Sequence, residues 1–97
     1  MMLVVVAYDV NTVSEEGRRR LRHVAKLCED FGQRVQNSVF ECLVDAAQWT
    51  KLRARLVDKI EKKTDSLRFY FLGDNWQRRV EHVGAKGSYN PQGPLVI

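Results

Sequence analysis

Two cysteines, two histidines and two prolines in 97 residues leave little material for several kinds of chemistry. Cys28 and Cys42 fall in a predicted helix and a predicted strand, with no second Cys or His at metal-ligand spacing around either. That argues against a zinc site and against a disulfide framework, and the pair reads as small core residues of a reducing cytoplasm. No serine, cysteine or histidine sits in a recognisable nucleophile setting, and Gly84 and Gly87 with Lys86 lack the strand and helix that a phosphate loop requires. Covalent and nucleotide-dependent catalysis are therefore poor fits. His23 and His82 are isolated and are assigned no role. No apolar run approaches about 18 residues, and the amino terminus has neither a basic region nor a small-residue cleavage pattern, so the chain is expected to be cytoplasmic and not to engage a membrane.

What the chain has instead begins at its first residues. Positions 1–7 are all apolar, three of them valine, and lead straight into Tyr8 and Asp9. Such a run is too short to cross a bilayer and too β-branched for a helix, so it reads as a buried central strand with a carboxylate at its carboxyl end. Asp9 then either caps the turn that follows or offers an oxygen to a hard cation such as Mg2+, which keeps several waters and takes only one or two carboxylates from a protein.

Thr12 with Glu15 offers a capping box, Ser14 an alternative cap, and a helix is predicted from near Val13 to Phe31. Leu21, Val24, Ala25, Cys28 and Phe31 form its apolar stripe, with Gly32 ending it in a left-handed conformation. From Arg34 onward the pattern is extended, with Phe40, Cys42 and Val44 on one phase and a break at Asn37-Ser38, giving two short strands or one kinked strand. Asp45 caps a second helix whose stripe is Trp49, Leu52, Leu56, Val57 and Ile60. Asp65-Ser66 turns into the aromatic strand Leu67-Arg68-Phe69-Tyr70-Phe71-Leu72, and residues 79–83 are expected to add a short strand. The order β-α-β-β-α-β specifies an α+β, ferredoxin-like antiparallel sheet with both helices on one face, in one domain spanning residues 1–97.

One feature conflicts with an isolated copy of that fold. Strand one is apolar on both phases, so both faces of the sheet need cover and two helices supply only one. A second copy related by a two-fold axis is the simplest cover, with the tail from residue 83, ending in Leu95-Val96-Ile97, either packing on the partner as an exchanged strand or covering its own sheet. The net charge is +4, and 10 of the 16 basic residues are arginine, whose planar fork suits phosphate. Arg18, Arg19, Arg20 and Arg22 cluster on helix one, Arg34 follows it, and a homodimer doubles the charge. The cluster is either a solvated helix face partly balanced by Glu15 and Glu16 or the footprint of a protein that binds nucleic-acid backbone without reading bases. One aspartate per chain is thin for metal catalysis, but two strand ends meeting across a two-fold axis would place two Asp9 carboxylates around one Mg2+.

Several segments together resemble a known family over nearly the whole chain. Tyr8-Asp9-Val10 follows an apolar strand, arginines lie in helix one, and Gly32-Gln33-Arg34-Val35-Gln36-Asn37-Ser38-Val39-Phe40-Glu41 and Asp65-Ser66-Leu67-Arg68-Phe69-Tyr70 follow in turn. These are similar to the small CRISPR-associated adaptation proteins of the Cas two family. The resemblance implies a ferredoxin-like homodimer with exchanged C-terminal segments, Mg2+ at Asp9, and a metal-dependent endonuclease acting on RNA or DNA. It also implies a partner, the CRISPR integrase, in a heterohexamer-type complex of two integrase dimers and one dimer of this protein that acquires spacers for antiviral defence. Within that complex a non-catalytic scaffold for duplex DNA is the alternative role. The matching residues are Tyr8, Asp9, Arg34, Gln36, Ser38 and Phe40, with Asp9 as catalytic and metal residue, Tyr8 and Ser38 in support, and Arg18, Arg20, Arg22 and Arg34 on nucleic acid. An RNA-recognition-motif reading is weakened by the absence of that fold's basic-glycine-aromatic signature.

Overall fold

The structure is a computed structural model and describes residues 1–85. Runs of β-branched and aromatic residues form four strands, β1 (Met2–Asp9), β2 (Gly32–Gln36), β3 (Val39–Val44) and β4 (Ser66–Gly73). Two amphipathic segments form α1 (Glu15–Glu29) and α2 (Ala46–Lys59). The strands make one antiparallel sheet in the order β2-β3-β1-β4, the α+β ferredoxin-like arrangement that the element order predicts. Asn37-Ser38 is the turn of the β2–β3 hairpin, and the kink is a bulge between Arg34 and Gln36.

Strand alternation sorts side chains between the two faces. Val4, Val6 and Tyr8 of β1 join Phe40, Cys42 and Val44 of β3 in a core closed by Val24, Ala25 and Cys28 of α1 and by Trp49, Leu52 and Leu56 of α2. Trp49 meets the edges of Phe69 and Phe71, with centroids 4.8 and 5.5 Å apart. Cys28 and Cys42 are buried free thiols, and the Cys42 thiol together with burial pushes the Cys28 thiol up, so both behave as core groups. On the other face Leu3 and Leu43 are buried and Val5 and Ala7 are half-buried, whereas α1 and α2 close the core on the face of Val4, Val6 and Tyr8.

Three local expectations give way to tertiary detail. α1 begins at Glu15 rather than near Val13, because Ser14 is the cap: its Oγ accepts from Gly17 N–H at 3.0 Å, and Val13 N–H is spent on Asn11 Oδ1 at 3.0 Å. Gly32 does not end the helix in a left-handed conformation. It opens β2, where a Cβ would overlap the Glu41 carbonyl of β3, so close backbone approach is what requires glycine there. Residues 79–83 form no strand; a 3-10 turn at Trp76–Arg78 leads into irregular chain along the β2–β3 side of the sheet, where Val35 and Glu41 share a groove with residues 80–83. The exchanged strand expected at Leu95-Val96-Ile97 lies outside the described residues.

Candidate metal and nucleic-acid site

β1 delivers Tyr8 and Asp9 to opposite faces, since successive strand residues alternate. Asp9 is exposed on the face opposite the core that α1 and α2 close, directly across from Ser66 of β4, and the next pair on that face is Ala7 with Arg68. Tyr8 turns inward. Its N–H donates to the Ser38 carbonyl at 3.1 Å and its hydroxyl to the Asn37 carbonyl at 3.4 Å, and burial raises its pKa, leaving a neutral donor. Arg34 lies over the Phe40 ring, 5.1 Å from its centroid, and pairs with Glu29 of α1 at 3.6 Å. Tyr8, Arg22, Arg34, Asn37 and Ser38 line one cavity of about 310 Å³ between α1 and the hairpin turn. The candidate residues thus divide: Asp9 stands on one side of the sheet, and Tyr8, Arg22, Arg34, Ser38 and Phe40 gather on the other.

The arginines of α1 are equally unequal. Arg18 pairs with Glu15 at 2.8 Å and donates to the Thr12 carbonyl, while Arg22 reaches the same Glu15 at 3.8 Å. These are exposed pairs, worth about 1 kcal/mol or less and screened by salt, so Glu15 holds each guanidinium only weakly. Arg19 is exposed with no ion pair among the described residues. Arg20 differs, because its guanidinium is bound to Asp65, whose side chain is wholly shielded from solvent. Asp65 accepts from Arg20 Nε at 2.8 Å, from the N–H groups of Asn11 and Glu61 at 2.9 Å each, and from Thr64 Oγ1 at 3.1 Å. Burial alone would raise its pKa. The bonds from Arg20, Glu61, Asn11 and Thr64 override that and hold the carboxyl well below the usual carboxylate range.

Among the described residues no three His, Cys, Asp or Glu side chains converge as a metal cage. A lone exposed carboxylate on a rigid strand end suits Mg2+, which retains most of its waters, and does not suit cations that need a full set of protein ligands. Sequence reasoning passed over Asp65, which it treated as a turn residue, and Arg68, which shares Asp9's face and donates to the Tyr70 hydroxyl at 3.1 Å. The β4 alternation carried the signal for Arg68. Nothing local carried it for Asp65.

An antiparallel sheet with two helices on one face, a carboxylate at the end of its middle strand and an arginine-rich first helix make this a ferredoxin-like α+β protein. The chain belongs to the CRISPR associated protein Cas2 family, whose model matches residues 2–80. It is 62% identical over 96 residues to the CRISPR-associated endoribonuclease Cas2 of Chlorobaculum tepidum, covering 99% of this chain and 100% of that protein. It is 58% identical over 96 residues to the CRISPR-associated endoribonuclease Cas2 of Nitratidesulfovibrio vulgaris, covering 99% and 94%. The crystal structure of Streptococcus pyogenes Cas2 at pH 6.5 superposes with a TM-score of 0.75 at 64% identity, covering 86% of this chain and 100% of that one. No helix among the described residues is long and apolar enough to cross a membrane.

Proposed function

We propose that two copies of this chain form a two-fold homodimer that hydrolyses phosphodiester bonds of RNA or DNA with Mg2+ at Asp9, and that with the CRISPR integrase it takes part in spacer acquisition. The observation that carries this reading is the placement of Asp9, an exposed carboxylate at the end of the central strand on the face opposite the core that α1 and α2 close. The names of the relatives as endoribonucleases support the reaction class. The half-buried Val5 and Ala7 on the same face support the pairing of two sheets, which would bring two Asp9 side chains toward one another. Asp9 supplies anionic oxygen, and Ser66 and Arg68 stand beside it on β4, Arg68 offering a guanidinium to a phosphate oxygen. Arg18, Arg19, Arg22 and Arg34 hold backbone phosphates at a distance from that carboxylate. Mg2+ bound at Asp9 would supply charge neutralisation and an activated water.

Asp9→Asn keeps the side-chain shape and removes the charge. Cleavage of RNA and duplex DNA by the parent should need Mg2+, stop with chelator, and fall by at least about 100-fold in the variant; equal cleavage by the variant refutes the assignment. A second reading is favoured by the lone carboxylate and by the separation of the arginines from it: a non-catalytic scaffold that holds duplex DNA between integrase dimers. Integration by the partner enzyme that survives Asp9→Ala, while cleavage is lost, would select the scaffold.

A further inference from the structure

The buried carboxylate of Asp65 sits where the site reading gives it no part, yet its bonds converge on the strand end that bears Asp9. We propose that Arg20 and Asp65 are positioning residues: their pair locks the chain as it leaves β1, so fixing the Asp9 carboxylate for its cation, and withdraws Arg20 from the arginines that meet phosphate. The inference rests, for the cation, on the metal reading above.

The geometry is specific. Asp65 binds the N–H of Asn11, two residues beyond Asp9, at 2.9 Å. Its neighbour Ser66 is the residue directly opposite Asp9 in β4, so the carboxylate, carried on the residue that precedes β4, ties the start of that strand to the chain just beyond β1. Tyr8 N–H on the Ser38 carbonyl, at 3.1 Å, holds the same strand end from the β3 side. From α1, Arg20 closes the ring with Nε at 2.8 Å and Nη2 at 3.4 Å, two contacts that a lysine's single point of charge does not reproduce. Swinging Arg20 out to a phosphate would strand a shielded carboxylate without its counter-charge, a cost that Arg18, Arg22 and Arg34 do not face, because their acidic partners are half exposed. Groups that orient a metal-binding carboxylate control affinity through geometry, and their loss typically weakens metal binding about 10- to 100-fold.

The test follows the Asp9 and Asn11 amide signals by NMR in the parent chain and in Arg20→Lys, Arg20→Ala and Asp65→Asn, with Mn2+ as a paramagnetic probe, well below each melting temperature so that every variant is folded, and with Asn11 exchange read relative to the slowest-exchanging core amides of the same variant so that a global loss of stability cancels. Mn2+ should broaden Asp9 in the parent, and the variants should need about tenfold more for the same broadening. The Asn11 amide should exchange with solvent faster in all three. Duplex DNA binding by Arg20→Ala should keep the parent's salt slope, whereas a phosphate ligand would lose about one unit of it. Unchanged Mn2+ response in folded variants, or a slope reduced by about one, overturns the proposal. Should Asp65→Asn fail to fold, Arg20→Lys, which retains the charge, decides alone. Absence of broadening in the parent overturns the metal reading instead, and Asn11 exchange and the salt slope still decide whether the pair locks the strand end and stays off phosphate.

Discussion

Gly17→Ala sets helix propensity against packing at the point where α1 passes under the β1 exit. Gly17 is buried in the first turn of α1. On propensity alone alanine there should stabilise the helix by about 1 kcal/mol. A Cβ at this position, however, would overlap the Asn11 carbonyl oxygen, far inside the 3.0 Å limit for real Cβ contacts, and relief needs a retreat of more than about 1 Å. Asn11 has nowhere convenient to go. Its N–H is bound to Asp65 at 2.9 Å and its side chain accepts from Val13 N–H at 3.0 Å, so the retreat draws the loop away from a shielded carboxylate. Overpacking costs about 1–3 kcal/mol. A weakened bond to that charged acceptor costs about 1–3 kcal/mol more.

The net expectation, taking the middle of each range, is a loss of about 3 kcal/mol, or roughly 12–24 °C in melting temperature for a domain of this size. Urea unfolding followed by circular dichroism measures it as a lower midpoint with an unchanged slope. Combined with Arg20→Lys, the two losses should add to less than their sum, because both act on the Asn11–Asp65 bond. A Gly17→Ala protein as stable as the parent, or more so, would refute the close-approach argument and return Gly17 to the status of an ordinary helical glycine.

Two further outcomes test separate parts of the fold. The native pKa of Asp65 lies below its ordinary value near 3.8, so its contribution to stability is complete above that value and is lost as pH falls below it toward the native one. Acid unfolding below pH about 4 should therefore be less steep in Asp65→Asn than in the parent, and identical profiles would show that the carboxylate carries no linkage. Asp45 accepts from Gln48 N–H at 2.7 Å while Gln48 returns the bond at 2.9 Å, so Asp45→Ala should cost about 1 kcal/mol in the same urea assay, and no change would deny the capping box any energetic part.

Much of the fold was legible because its signals are periodic and local. Phe40, Cys42 and Val44 share a phase in the sequence and are fully buried in the structure, and Trp49, Leu52 and Leu56 recur at helical spacing and face the sheet. Asp45 as a cap needs only its own first turn. The site was less legible where its determinants are distant: Asp65 bonds Arg20 and Asn11 across 45 and 54 residues, so a residue that reads as a turn proves to be a buried clasp. Gly32 misled for a related reason, since what requires glycine there is a strand ten positions away in register with it rather than the helix before it.

The separation of Tyr8 from Asp9 has a consequence for how the proposed activities divide. In the sequence the two residues form one motif, but on a strand, neighbours face apart, and here they face different materials: Asp9 the open sheet, Tyr8 the cavity bounded by Arg22 and Arg34. Holding a phosphate backbone along α1 and acting on a scissile phosphate at Asp9 are then tasks of different surfaces, joined only through the strand between them. Charge on one surface is partly screened from the other across a sheet thickness and salt. Under the proposed reading, loss of Asp9 should leave backbone affinity and its salt slope intact, and loss of Arg22 or Arg34 should weaken affinity without altering the cation requirement at Asp9. Arg20 is the exception, being on the arginine helix by sequence and tied to the Asp9 strand end by its bond to Asp65.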